Sequence, residues 1–155
     1  MKKFFFAALI VVHFTACKPP QTTSAVGLQT LNNYILRTDV VVTQDVWYMY
    51  FSDATPFNNT FQLSRSSPGN VVVPDFDGQR VVAIAQKSST NIIDIKFRKA
   101  EAGGKDLNVY YEVITSPGTN YPHSPFTVAI IPKNSSVKRI NFYKGDTKEK
   151  TINIE

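Results

Sequence analysis

Between Asn91 and Lys99, apolar and charged side chains alternate residue by residue, with Ile93, Ile95 and Phe97 on one side and Asp94, Lys96 and Arg98 on the other. A period of 2 fits an extended strand with one face buried and the other in water. Asp106 to Thr115 repeats the pattern, with Leu107, Val109, Tyr111 and Val113 inward against Asn108, Tyr110 and Glu112 outward. Ala102-Gly103-Gly104-Lys105-Asp106 separates the two segments as a hairpin loop, so they read as adjacent antiparallel strands.

Other segments join this framework. Tyr34 to Val42 is apolar and β-branched, Arg80 to Gln86 carries Val81-Val82-Ala83-Ile84, and a short strand fits Thr60 to Leu63. Further strands are expected at Phe126 to Pro132, Val137 to Tyr143 and Lys150 to Ile154, the last two joined by the turn-like Lys144-Gly145-Asp146. Val46, Trp47, Tyr50 and Phe51 stand at i, i+1, i+4 and i+5, which predicts a short amphipathic helix capped by Thr43 or Asp45. An aromatic strand competes there, because Trp, Tyr and Phe also favour sheets. The fold class that follows is mainly β, an antiparallel sandwich or barrel-like domain with one short helix near residues 43–52.

The N-terminus carries a different signal. Lys2 and Lys3 precede an apolar run from Phe4 to Phe14, followed by Thr15-Ala16-Cys17. That is the order of a secretory signal peptide, and the run is too short to span a bilayer, which takes about 20 apolar residues. Phe14-Thr15-Ala16-Cys17 resembles a bacterial lipobox, which implies cleavage before Cys17 and acylation of that residue. Cys17 is the only cysteine, so acylation gives a use to a thiol that has no disulfide partner. Long acyl chains contribute about 0.8 kcal/mol per buried CH₂, enough for two or more to hold a protein on a membrane. Residues 1–16 are therefore expected to be a lipoprotein signal peptide, residues 17–30 a lipidated tether containing Pro19 and Pro20, and residues 31–155 a single β-rich domain. Lys18, rather than an aspartate, follows the lipidated position, so the expected address is the bacterial envelope at the outer membrane.

Composition excludes some functions. Loss of Lys2 and Lys3 lowers the formal charge from +5 to +3, and the remaining cations alternate with apolar residues instead of forming a basic stripe, so nucleic acid is not an expected partner. With Cys17 acylated and His123 the only histidine after cleavage, no His/Cys cluster can hold a metal, and no cofactor is expected. A Ser-His-Asp triad would have to use His123, yet there is no Gly-x-Ser-x-Gly elbow. Asp75 and Asp77 flank Phe76 at a spacing a glycosidase could use, but turn formation before the Arg80 strand accounts for them more simply.

The C-terminal half has a family resemblance. Pro74-Asp75-Phe76-Asp77-Gly78-Gln79-Arg80-Val81-Val82-Ala83-Ile84 is followed by Leu107-Asn108-Val109-Tyr110-Tyr111-Glu112-Val113. Thr115-Ser116-Pro117-Gly118 comes next, then Ser124-Pro125-Phe126-Thr127-Val128-Ala129-Ile130-Ile131-Pro132-Lys133. In order and spacing this resembles the C-terminal domain of the protease-complex subunit PrcB, over about residues 74–143. The segment from Val42 through Trp47 to Phe51 is similar to the short helix that often precedes that domain. One element departs: the family pattern places a Thr-Gly-Gly-Tyr-like stretch between the first two core strands, where this chain has Lys87-Ser88-Ser89-Thr90-Asn91-Ile92.

The resemblance implies a non-catalytic, membrane-anchored accessory subunit that binds another envelope or secreted protein, a protease in the family's own case. The contact surface is expected at the long loop bearing Pro117, Gly118, Tyr121 and His123, stiffened by Pro117, Pro122 and Pro125, and at Ser88 and Ser89 in the altered loop. The alternative is a lipoprotein that captures a glycan or small apolar ligand beside Trp47 and the tyrosines.

Overall fold

The computed structural model describes residues 22–65, 71–118 and 121–154. Cys17 and the segment expected to be a signal peptide lie outside the described residues. In chain order the elements are β1 (Ser24–Val26), β2 (Gln29–Thr30), β3 (Tyr34–Leu36), β4 (Val46–Phe51), α1 (Ala54–Thr60), β5 (Phe61–Leu63), β6 (Gln79–Gln86), β7 (Ile92–Gly103), β8 (Asp106–Ser116), β9 (Phe126–Pro132), β10 (Arg139–Lys144) and β11 (Thr147–Asn153).

Two sheets pack as a sandwich. The first is ordered β1-β7-β8-β10-β11 and the second β2-β9-β6-β4, while β3 and β5 form a separate ribbon. The mainly β expectation holds, and every pair is antiparallel except β8 with β10. That exception follows from connectivity: the chain leaves β8, crosses to the other sheet as β9 and returns, and such a crossover permits a parallel neighbour. The return is fixed where the Lys138 and Arg139 amides both donate to the carbonyl of Lys105, at 2.8 and 3.1 Å.

The β7–β8 hairpin is tighter than the sequence suggests. Gly103 pairs with Asp106, so only Gly104 and Lys105 turn, and Gly104 takes the positive φ of 58° that the first turn position of a tight hairpin demands. A bulge between Phe97 and Lys99 inserts Arg98 as an extra residue. It also resets the alternation: Ile93, Ile95 and Phe97 face the core before it, Ala100 and Ala102 after it.

β6 and β9 lie in the middle of the second sheet, and both of its faces are covered. Val82, Ile84, Ala129 and Ile131 face the first sheet, whereas Val81, Ala83, Ala85, Val128 and Ile130 face a second core. Their unbroken apolar runs are the consequence, since no residue of a doubly covered strand meets water. The second core is capped by α1 and the β3–β5 ribbon, with Tyr34, Phe51, Phe57, Phe61 and Phe76 in mutual ring contact at centroid distances of 5.0–6.0 Å.

Three expectations need correction. The helix expected near residues 43–52 is instead the strand β4, the competing reading. Tyr48 and Tyr50 face the sandwich core and Trp47, Met49 and Phe51 the capped core, so two buried faces place apolar groups at helical and strand spacings alike. Neither Thr43 nor Asp45 is a cap; the helix begins at Ala54, where the Asp53 carboxylate accepts from the Thr55 amide at 3.1 Å. The strand expected over Tyr34–Val42 stops at Leu36, because the Arg37 amide turns to the Thr60 carbonyl and the Val40 amide to that of Arg37. Part of the stretch expected as a tether, residues 17–30, is built into the sheets instead, since Ser24–Val26 pairs with Ala100–Ala102 and Gln29–Thr30 with Ala129–Ile130.

Candidate functional site

The strands give the sandwich two distinct ends. At one end the chain enters at Ser24 beside Ala102, close to the Gly104-Lys105 turn and the start of β10. At the other end β6 leads into β7 and β8 leads out toward β9, so residues 87–91, 117–118 and 121–125 emerge together. These segments carry all six residues singled out from the sequence as a contact surface.

The structure joins them through the backbone. The Ser89 amide donates to the His123 carbonyl at 2.9 Å, the His123 amide returns to the Ser89 carbonyl at 3.1 Å, and the Gln86 amide donates to Pro125 at 2.9 Å. Gly118 sits against the other strand of the loop pair: a Cβ there would lie 2.1 Å from the Thr90 carbonyl oxygen, so no other residue fits without displacing that backbone. The buried Pro125 and the Phe126 ring, 5.9 Å from that of Phe61, root the long loop in the capped core. Lys87, at the base of the shorter loop, forms an ion pair with Asp45. That carboxylate is held below its usual range, first by its hydrogen bond with the ammonium.

Within this frame Ser89 and His123 are brought together, and Gly118 meets their neighbour Thr90. Ser88 and Pro117 are exposed, and so is Tyr121, at 81%. The contact between Ser89 and His123 is made by main chain, while the Ser89 hydroxyl accepts from the Asn91 amide at 3.0 Å. No carboxylate among the described residues is ion-paired with His123. The arrangement is a braced, polar, solvent-facing loop pair. Asp75 and Asp77 belong to a turn: the Asp77 amide donates to Asp75 Oδ1 at 3.1 Å, and the Gly78 amide to the Asp75 carbonyl at 3.2 Å.

Sequence reasoning missed a cavity at the opposite end. It holds about 380 Å³ over Leu107, Ile131, Val137 and Ile140, with Tyr50 and Arg80 on its wall. Arg80 Nη1 donates to the carbonyls of Phe76 and Gln79 at 2.5 and 2.6 Å. Burial raises the Tyr50 hydroxyl above its ordinary pKa, and the Arg80 charge opposes that shift. Arg80 opens an apolar strand and nothing in its local pattern marks it, so only the packing of two sheets could reveal this site. Trp47, the expected ligand platform, instead borders a small depression of about 170 Å³. The outward Tyr110 and Tyr143 rings stack on each other at 5.0 Å, with the Lys99 ammonium 4.5 Å from the Tyr110 centroid, so one face of each ring is already occupied.

Among the described residues no cluster of three or more His, Cys, Asp or Glu side chains could hold a metal ion, and no helix is long and apolar enough to cross a membrane. Comparison with known proteins gives no match to a family model, a curated protein or a solved structure.

Proposed function

We propose that this chain is a non-catalytic, membrane-anchored lipoprotein that binds another envelope or secreted protein through the loop pair 87–91 and 117–125, as an accessory subunit of a complex. The observation that carries the reading is the bracing of that pair: reciprocal Ser89–His123 hydrogen bonds and Gly118 seated on Thr90 hold an exposed surface in one shape. Ordering a loop in advance lowers the entropic cost of docking, which is what a recognition loop gains from such a brace. The lipobox-like Cys17 supplies the anchor, and the loops sit at the end of the sandwich opposite the point where the tether joins. A protease as partner rests on the PrcB resemblance alone.

Intact mass of the protein extracted from membranes tests the anchor: a chain starting at acylated Cys17 is expected, and an unprocessed or unmodified N-terminus contradicts it. Co-purification from detergent-solubilised envelope tests the partner. One protein is expected to accompany the wild type and to be lost with Gly118→Val, whose side chain meets the Thr90 backbone; recovery of the wild type alone under several mild conditions contradicts a stable complex.

A second reading, capture of a small ligand, is favoured by the cavity beside Arg80 and Tyr50, whose volume falls in the range of small-molecule sites. Its apolar floor and cationic wall suit an apolar carboxylate. Titration with a medium-chain fatty acid, monitored by tyrosine fluorescence in wild type and Arg80→Gln, separates it from the first reading.

A further inference from the structure

β7 is the longest strand of the described residues, and β1 covers only its last part, Ala100–Ala102, before the chain leaves the first sheet at Gly27 to form β2. From Ile92 to Arg98 the side of β7 turned away from β8 pairs with no strand among the described residues. A groove of about 480 Å³ lies along this edge, walled by Leu31, Tyr34, Ile95, Phe97, Phe126 and Val128. The opposite edge of the same sheet, β11, is bulged at its middle and presents exposed Lys148, Glu149 and Lys150, whereas β7 is bulged only at Arg98, at the end of its open stretch. The β7 edge instead carries a self-complementary pattern.

We propose that the open edge of β7 pairs antiparallel with the same edge of a second copy of this chain, joining two five-stranded sheets into one. A two-fold pairing must set inward residues opposite inward residues, which leaves three registers near the middle of the edge. Centring on residue 94 opposes two aspartates, and centring on residue 96 opposes two lysines. Centring on Ile95 alone sets Asp94 opposite the partner's Lys96 and Lys96 opposite the partner's Asp94, with Ile93 opposite the partner's Phe97 on the inner face.

That register also spans the open stretch end to end, from Ile92 opposite Arg98 to the reverse. In the isolated chain Asp94 and Lys96 satisfy each other along one strand, at 2.7 Å. Pairing places each Lys96 between its own Glu112, its neighbour on β8, and the partner's Asp94. Ile92, 44% exposed, gains the aliphatic stem of the partner's Arg98. Pairing of this kind satisfies backbone donors and acceptors that otherwise face water. It leaves the loop pair uninvolved and does not rest on the function proposed above.

Sedimentation velocity on the full chain in detergent, from micromolar to sub-millimolar concentration, tests the pairing. The wild type is expected to shift from monomer to dimer. Asp94→Lys and Lys96→Asp each place two like charges opposite each other twice per dimer and are expected to raise the midpoint about tenfold. An equimolar mixture of these two variants has every pair opposite in sign and is expected to dimerise near the wild-type midpoint, as is the double exchange Asp94→Lys/Lys96→Asp. Co-occupancy of a micelle is indifferent to these charges, and unchanged circular dichroism shows that the exposed substitutions leave the fold intact. A wild type that stays monomeric throughout overturns the proposal and leaves the edge to a strand of another protein. A dimer indifferent to both substitutions, or a mixture that does not recover, overturns it equally.

Discussion

The two faces of the β2-β9-β6-β4 sheet build unlike cores. The sandwich side is mostly aliphatic, with Val82, Ile84, Leu107, Val109, Ile131 and Ile140 interleaved around Phe142. The capped side is a cluster of rings held by one short helix and a two-stranded ribbon. Strands in register impose the first core, because alternation delivers each side chain to a position fixed by the ladder. The second depends on where a loop-rich passage drops its aromatics, so large rings substitute for regular geometry. The sandwich should therefore unfold as the global unit, and the cap should loosen first.

The largest effect expected from breaking this contrast is that of Phe142→Ala. Removing a fully buried ring from the sandwich should cost about 3–5 kcal/mol and shift the whole denaturation curve. Phe57→Ala, equally buried, should cost about 3 kcal/mol, with hydrogen exchange accelerating in α1, β3 and β5 while β7 and β8 stay protected. Equal acceleration in both layers would show the two cores to be one cooperative unit.

The next effect lies within the sandwich. Tyr48 and Tyr111 share a hydroxyl–hydroxyl hydrogen bond of 2.6 Å between the sheets, and burial pushes the Tyr111 phenol far above its usual pKa. Tyr111→Phe strands the Tyr48 hydroxyl and should cost about 1–2 kcal/mol by urea denaturation. The double Tyr48→Phe/Tyr111→Phe variant should recover part of that loss, since neither polar partner is then left. On the cap side Asp53→Ala removes the helix cap and should cost about 1 kcal/mol, most visibly as faster exchange in α1.

The smallest effect is a pH dependence on the outer face. Arg139 grips Asp106 with bonds of 2.6 and 2.9 Å, and that hydrogen bonding, ahead of the Coulombic attraction, lowers the aspartate pKa. A lowered folded-state pKa means the pair stabilises above the unfolded value of about 3.9 and loses its contribution as pH falls through the folded value. Arg139 is half exposed, so the effect should stay below about 1 kcal/mol. Asp106→Asn should flatten the acid limb of the stability curve without changing the neutral plateau by more than that.

The contrast between the cores also explains what could be read from the chain. β7, β8 and the two tight hairpins were legible, because alternation and glycine-bearing turns carry their own signal, and β9 was legible as a short apolar, β-branched run. β4 was not, since a strand buried on both faces shows no amphipathic period and its aromatics match either helix or sheet. Nor was α1, whose start is signalled by Asp53 but whose seven residues contribute only Phe57 and Thr60 to the interior. The two candidate contact loops could be nominated separately from prolines, glycine and polar residues. Their meeting through Ser89 and His123 could not, because it depends on which strands the sandwich places side by side.

The claim at the centre of this account is that the loop pair is where a partner binds. A photo-crosslinking phenylalanine analogue in place of Tyr121 tests it in living cells, with the same analogue in place of Lys105, at the opposite end of the sandwich, as the reference. A discrete heavier adduct from position 121 and none from position 105 is the predicted result. Adducts from position 105 alone, or equal yields from both, would contradict it.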